Sequence, residues 1–310
     1  MNPLPKHFTI ERTLAEALRV GTPVVALEST VITHGLPQPD NLNLAREMEA
    51  AVREHGAAPA TIALLDGKIN IGLNDDDLER LASLAGTRKI SLRDFGIALG
   101  RGLSGGTTVA ATLFAAAQAG IRVFATGGIG GVHRGAPFDV SADLIQLSKA
   151  PVVVVCAGAK AILDLPATRE VLETQGVPVI GYQTDTFPAF YTRNSGLSVD
   201  QRVDTPEEAA QIALASWEAG LTSAILLVAP PPADMAMDEQ EMEGAIQAAL
   251  AEAEAAGIHG AETTPFLLAK VSELTGGVSL RANLALLHNN AHVAAQVAKA
   301  MTEINQAGPF

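Results

Sequence analysis

The sequence predicts an α/β fold, a three-layer α/β/α sandwich around a mixed, mostly parallel central sheet. Short β-branched runs alternate with Ala- and Leu-rich stretches of helical periodicity. Runs such as PVVVVCAG (151–158) and SAILLVAP (223–230) are apolar throughout, the pattern of strands covered by helices on both faces. Asp66-Gly67, set between two strand-like runs, reads as a tight hairpin turn and makes the sheet mixed rather than purely parallel.

In chain order, strands are predicted over Pro23–Glu28, Thr61–Leu65, Ile69–Gly72, Ile121–Thr126, Pro151–Cys156, Val177–Tyr182 and Ser223–Ala229. Helices are predicted over Asn41–His55, Asp75–Ala85, Thr107–Ala119, Ser141–Lys149, Thr168–Gln175, Pro206–Glu218, Glu239–Ala255, Pro265–Leu274 and Leu280–Met301. The acids Asp75, Asp76 and Asp77, and the Thr-Pro pairs at Thr205 and Thr264, are start signals. Gly56, Gly86, Gly120 and Gly176 sit where helices end. Without a repeat or a low-complexity linker, the chain reads as one catalytic domain over 1–310, with residues 1–9 as a flexible tail.

Composition narrows the function. The 21 Lys and Arg against 34 Asp and Glu give a formal charge of −13, so phosphate backbones and anionic lipid are repelled. Neither a nucleic acid nor a membrane is an expected partner; a small molecule is. At 48% hydrophobic and 18% charged the chain has ample core material, and with 4% aromatics that core must be aliphatic. Cys156 is the single cysteine and has no internal partner, which suits a reducing, cytoplasmic compartment.

Ligands of open α/β sheets bind beyond the carboxyl ends of the strands. Glu28, at the end of the first predicted strand, reads as a general acid or base, or as a solvated carboxylate at a loop start. His34, in the loop beyond it, reads as a surface histidine. The segment RGLSGGTTV (101–109) opens a helix. Its first-turn N–H groups and the Thr107 and Thr108 hydroxyls suit a phosphate, although glycines there also serve as plain hinges. TGGIGGVHRG (126–135) lacks the dinucleotide pattern, because His133 stands where the third glycine belongs.

Asp139 and Asp143, four residues apart, would share one side of a helical turn and suit an oxygen-liganded Mg²⁺ or Mn²⁺. The competing reading is a helix cap from Asp139 or Ser141. Lys160 follows an apolar strand among small residues, where desolvation would free its amine as a nucleophile. Lys89 lies in a local basic stretch and reads either as a phosphate partner or as a surface lysine. Asn283, at the start of the last long helix, and Asn289-Asn290 within it offer a polar face toward a site, because asparagine is a weak helix former. These residues describe an enzyme acting on a phosphorylated small molecule. They do not separate a lysine-dependent aldolase-like lyase from other lysine chemistry, or from a sugar-phosphate sensor.

Five motifs in order are more specific: VVALESTVITHG (24–35), ATGGIGGVHRG (125–135), FDVSAD (138–143), VVCAGAK (154–160) and TPFLLA (264–269). Together they resemble the pseudouridine-5′-phosphate glycosidase family, within the indigoidine synthase A-like group, over about residues 10–303. The resemblance implies reversible cleavage of the C–C glycosidic bond of pseudouridine 5′-phosphate, giving uracil and ribose 5-phosphate. By motif match, Lys160 is the lysine that joins the ring-opened sugar, Glu28 the proton donor and Asp139 the ligand of one Mn²⁺. Lys89, Val109, Ser141, Ala142 and Asp143 match substrate contacts, and Asn283 is a looser match. A homotrimer is implied in the same way. One departure is visible: only Ala136 and Pro137 separate Gly135 from Phe138, shorter than the family's stretch.

Overall fold

In the computed structural model, which describes residues 4–258 and 263–307, the apolar runs become the middle of an eleven-stranded sheet. The chain enters through β1 (Phe8–Ile10) and α1 (Arg12–Val20), then β2 (Val24–Leu27), one π-helical turn (Val31–Gly35) and α2 (Asp40–Glu54). A hairpin of β3 (Ala58–Leu65) and β4 (Lys68–Ile71) precedes α3 (Asp75–Ser83), β5 (Arg88–Ile90), α4 (Leu92–Arg101), β6 (Gly105–Thr107) and α5 (Val109–Gln118). β7 (Val123–Ala125) leads through the glycine loop into β8 (Val132–His133), β9 (Ala136–Val140), α6 (Ala142–Leu147) and β10 (Val153–Cys156). β11 (Leu163–Asp164), α7 (Leu165–Thr174), β12 (Val179–Tyr182), β13 (Gln201–Val203), α8 (Pro206–Glu218) and β14 (Ile225–Val228) follow. The helices α9 (Glu239–Ala255), α10 (Thr263–Leu274) and α11 (Val278–Ala307) complete the order.

The main path runs β1-β4-β3-β2-β7-β10-β14-β12-β13, with β5 and β6 branching from β3. From β3 to β13 every neighbour on this path is parallel; the β3–β4 hairpin and the β3–β6 pair are antiparallel. The sheet is therefore mixed and mostly parallel, as expected. The hairpin turns at Asp66 and Gly67, both with φ near +50 to +70°, which a Gly tolerates without strain. α2, α8 and α11 pack together, with α11 lying along β2, β7 and β10, while α5 packs on β2 and β3 and is backed by α6. All four residues of β10 are fully buried, and each buried valine contributes about 1.5–3 kcal/mol by leaving water.

The predicted tail needs one correction. Phe8 and Thr9 pair with Ile69 and Asn70 in the sheet, so the ordered chain begins before residue 10; Met1–Pro3 lie outside the described residues. The predicted helix from Thr107 also starts later. Gly105–Thr107 form β6, Thr108 is the N-cap, and α5 begins at Val109. α8 matches its predicted span, and Gly56, Gly86, Gly120 and Gly176 each follow a helix with positive φ.

Candidate active site

The site forms where β2, β7 and β10 end side by side. Glu28 emerges directly from β2, and its carboxylate is oriented by two hydroxyls. Thr30 donates to Oε2 at 2.6 Å, and Thr126, fully buried at the end of β7, donates to Oε1. Thr126 is fixed in turn by Asn290 of α11, whose Nδ2 donates to the Thr126 carbonyl at 2.8 Å. Asn290 is fully buried and lies seven residues beyond the half-buried Asn283, on the same stripe of the helix.

Lys160 follows β10. Its N–H donates to the Ile129 carbonyl at 3.1 Å, and its own carbonyl accepts from Leu163 N–H at 3.0 Å, closing a turn. Lys89, on β5, faces the same space. Burial pushes its ammonium below the usual lysine range and the Lys160 charge pushes the same way; Glu28 and Asp143 oppose both. Lys89 is thus no lysine of a surface basic stretch, and its charged neighbours are the other site residues. His34 is exposed, as expected, and partial desolvation with the nearby Lys89 charge holds its pKa below the ordinary histidine value. Cys156 takes no part, because burial pushes its thiol up to about 12 and leaves no thiolate.

Asp143 departs from its expected geometry. Asp139 lies on β9 and Asp143 on α6, so the two do not share a helical turn. Asp143 is buried, and its carboxylate joins two loops: Oδ1 accepts from Ala110 N–H and Oδ2 from Gly130 N–H, each at 2.8 Å. Ser141 caps α6, its Oγ accepting from Asp143 N–H at 3.2 Å, which is the capping alternative. Ala142 begins the helix. A side chain on Gly130 would come within 2.3 Å of Ser141 Oγ and 2.8 Å of Asp143 Oδ2, so this glycine permits close backbone approach.

The hydroxyls of the 101–109 segment have internal partners. Thr107 Oγ1 donates to the Ile62 carbonyl at 2.6 Å, and Thr108 Oγ1 accepts from Ala111 N–H as a helix cap. Val109 is buried at the first turn of α5, beside the Ala110–Asp143 bond. Phe190 was not legible as a site residue. It is buried, has φ of +65°, and places its ring where a side chain on Gly128 would lie. No periodic signal marks it.

Asp139 is exposed. Among the described residues no three His, Cys, Asp or Glu side chains gather around one point. A lone carboxylate oxygen donor fits a Mg²⁺- or Mn²⁺-like ion that keeps most of its waters, and does not fit a protein-caged ion. Among the described residues no helix is long and apolar enough to cross a membrane.

The sequence pattern of the family described as "Indigoidine synthase A like protein" matches residues 13–300. A protein of Sorangium cellulosum named pseudouridine-5′-phosphate glycosidase is 54% identical over 301 residues, 96% of this chain and 95% of its own. A protein of the same name from Herpetosiphon aurantiacus is 56% identical over 287 residues, covering 91% and 93%. Among solved structures, the prealnumycin C-glycosynthase AlnA in complex with ribulose 5-phosphate superposes with a TM-score of 0.90 at 41% identity, over 98% of this chain and 99% of that one. An indigoidine synthase A-like protein of Thermotoga maritima gives 0.88 at 37%, over 97% and 99%. The chain belongs to the indigoidine synthase A-like family of enzymes, the family of the pseudouridine-5′-phosphate glycosidases.

Proposed function

We propose that this protein cleaves the C–C glycosidic bond of pseudouridine 5′-phosphate, with water, to uracil and ribose 5-phosphate, and runs the reverse reaction. The observation that carries this reading is that Lys89 of β5 has Lys160, Glu28 and Asp143 as its charged neighbours, in a chain 54% identical to a relative named for the reaction. The neighbour AlnA is named as a C-glycosynthase and holds a pentulose phosphate, which supports the same bond class.

A carbon-linked base has no heteroatom at the bond to protonate, so the sugar must be activated instead. On ring opening, the C1′–O4′ bond breaks with its electron pair going to oxygen, and the Lys160 amine bonds to C1′. The nitrogen lone pair then forms C=N while the C1′–C5 pair stays with the uracil carbon, which takes a proton from Glu28. Water hydrolyses the imine and releases ribose 5-phosphate. Lys89 and the first turn of α5 at Val109 would bind the phosphate and sugar, with Ser141, Ala142 and Asp143 framing the opposite wall. Asp139 would hold a hydrated divalent ion such as Mn²⁺, which would supply positive charge and bound water beside the sugar phosphate. A homotrimeric, cytoplasmic enzyme of pseudouridine catabolism is the setting this reading implies.

The test is borohydride reduction with ribose 5-phosphate, followed by peptide mass spectrometry. An adduct on Lys160, discharged by uracil before reduction, supports the reading. An adduct that uracil leaves untouched points to aldolase-like chemistry, and no adduct at all sinks the covalent mechanism.

A further inference from the structure

Arg134 has no role in the chemistry above, yet it holds the turn that carries the nucleophile. It follows β8, and its side chain is 25% exposed. Nε donates to the Leu163 carbonyl and Nη2 to the Ala161 carbonyl, each at 3.0 Å. Nη1 donates to Glu243 Oε1 of α9 at 2.6 Å. Both carbonyls belong to the turn closed by Leu163 N–H on the Lys160 carbonyl. A guanidinium is a rigid planar fork, so its donors cannot drift independently once two of them are engaged.

The surroundings share the work of holding this turn, and the fork is the part that ties it to α9. The side chains of Ala161, Ile162 and Leu163 are buried and Leu163 pairs with His133 of β8, while beside Arg134 a pocket of about 500 Å³ is lined by Arg134, Ala161, Leu163 and Glu243 among others. Glu243 is itself held by Gln247 Nε2 at 2.7 Å, and the bond from Arg134 keeps its carboxyl below the usual glutamate range. The Lys160 backbone is thus fixed by the glycine loop through Ile129, and the turn after it by β8 through Leu163 and by α9 through Arg134.

We propose that Arg134, locked by Glu243, is a positioning residue that keeps the Lys160 amine in register with the Glu28 side of the site. This rests on Lys160 being the amine that bonds C1′.

The experiment measures the rate of borohydride-trappable adduct on Lys160 across ribose 5-phosphate concentrations. It compares wild type with Arg134→Ala, Arg134→Lys and Glu243→Gln, each with a thermal melt. In Arg134→Ala the saturating rate should fall roughly ten- to a hundredfold, the cost of about 1 Å of misplacement, with half-saturation nearly unchanged. Arg134→Lys, able to serve one carbonyl, should recover part of the rate, and Glu243→Gln should lose less than Arg134→Ala. A wild-type saturating rate in Arg134→Ala overturns the proposal. So does a loss that matches the unfolded fraction and is not relieved by lysine. If the wild type forms no adduct, the reaction assignment fails and the proposal with it. A wild-type adduct beside unaffected variants defeats the positioning role alone.

Discussion

Replacing Asp143 by asparagine changes one atom and should cost far more than most point substitutions. Asp143 is 5% exposed, and each carboxylate oxygen accepts a backbone N–H at 2.8 Å, from Ala110 on one side and Gly130 on the other. An amide keeps one acceptor and turns an NH2 group against the other N–H. Losing one hydrogen bond to a charged acceptor costs about 1.5–3 kcal/mol, and stranding a buried donor adds about 1–3 kcal/mol. The sum, about 2.5–6 kcal/mol, is a large part of a typical domain's net stability of about 5–15 kcal/mol. Urea unfolding of Asp143→Asn followed by circular dichroism should show that loss, and ribose 5-phosphate binding should weaken because the 110 and 130 loops come apart. A variant within about 1 kcal/mol of wild type that binds no ribose 5-phosphate would refute this account and make Asp143 a direct ligand.

Four further outcomes are expected. Lys160→Ala should abolish both turnover and the trapped adduct with a melting profile close to wild type; retained turnover would remove the lysine from the mechanism. Glu28→Gln should bind ribose 5-phosphate in calorimetry while turning over slowly, and a normal rate would reassign the proton donor. Lys89→Met should raise the melting temperature of the free protein at pH 7 and weaken phosphate binding. The sign follows from its lowered pKa: the folded chain carries the Lys89 ammonium at a cost the unfolded chain does not bear. Wild-type stability from this group therefore rises as pH climbs from the lowered pKa to the ordinary lysine value, and a flat difference between wild type and variant across that window would contradict it. Dialysis against a chelator should lower turnover, with Mn²⁺ restoring it in wild type and not in Asp139→Ala; full activity after chelation would dismiss the ion.

The sheet's centre was legible because fully buried strands must be apolar on both faces, as in β10 and β14. Its rim was not. β5, β6 and β13 of that rim, like β8 and β11 of the separate three-stranded sheet β11-β8-β9, are two or three residues long, and β6 is Gly-Gly-Thr, so neither hydrophobic period nor propensity distinguishes them from loops. Glu28 stood out because a charged residue directly after an apolar strand is uncommon, and Lys160 because it stands among small apolar residues just beyond one. Asp143 was legible as a site residue but not in its work, since the Ala110 and Gly130 amides that it joins lie 33 and 13 residues away. Asn290 was legible as a polar residue of the last helix but not in its partner, and Arg134 not at all, because both act on main-chain carbonyls, and an acceptor that every residue possesses leaves no trace in side-chain spacing.

Glu28, the glycine loop and Lys160 leave the sheet from β2, β7 and β10, three consecutive strands of one parallel ladder. Neighbouring strands lie about 4.8 Å apart, so the ends of β2 and β10, from which Glu28 and the segment bearing Lys160 depart, stand about 10 Å from each other. That gauge is set by main-chain hydrogen bonding and is indifferent to side-chain identity. Repacking the helices can loosen or rigidify the enzyme, but the gap between these strand ends stays as the ladder sets it. Selectivity for other bases has to arise in the residues leaning over that gap.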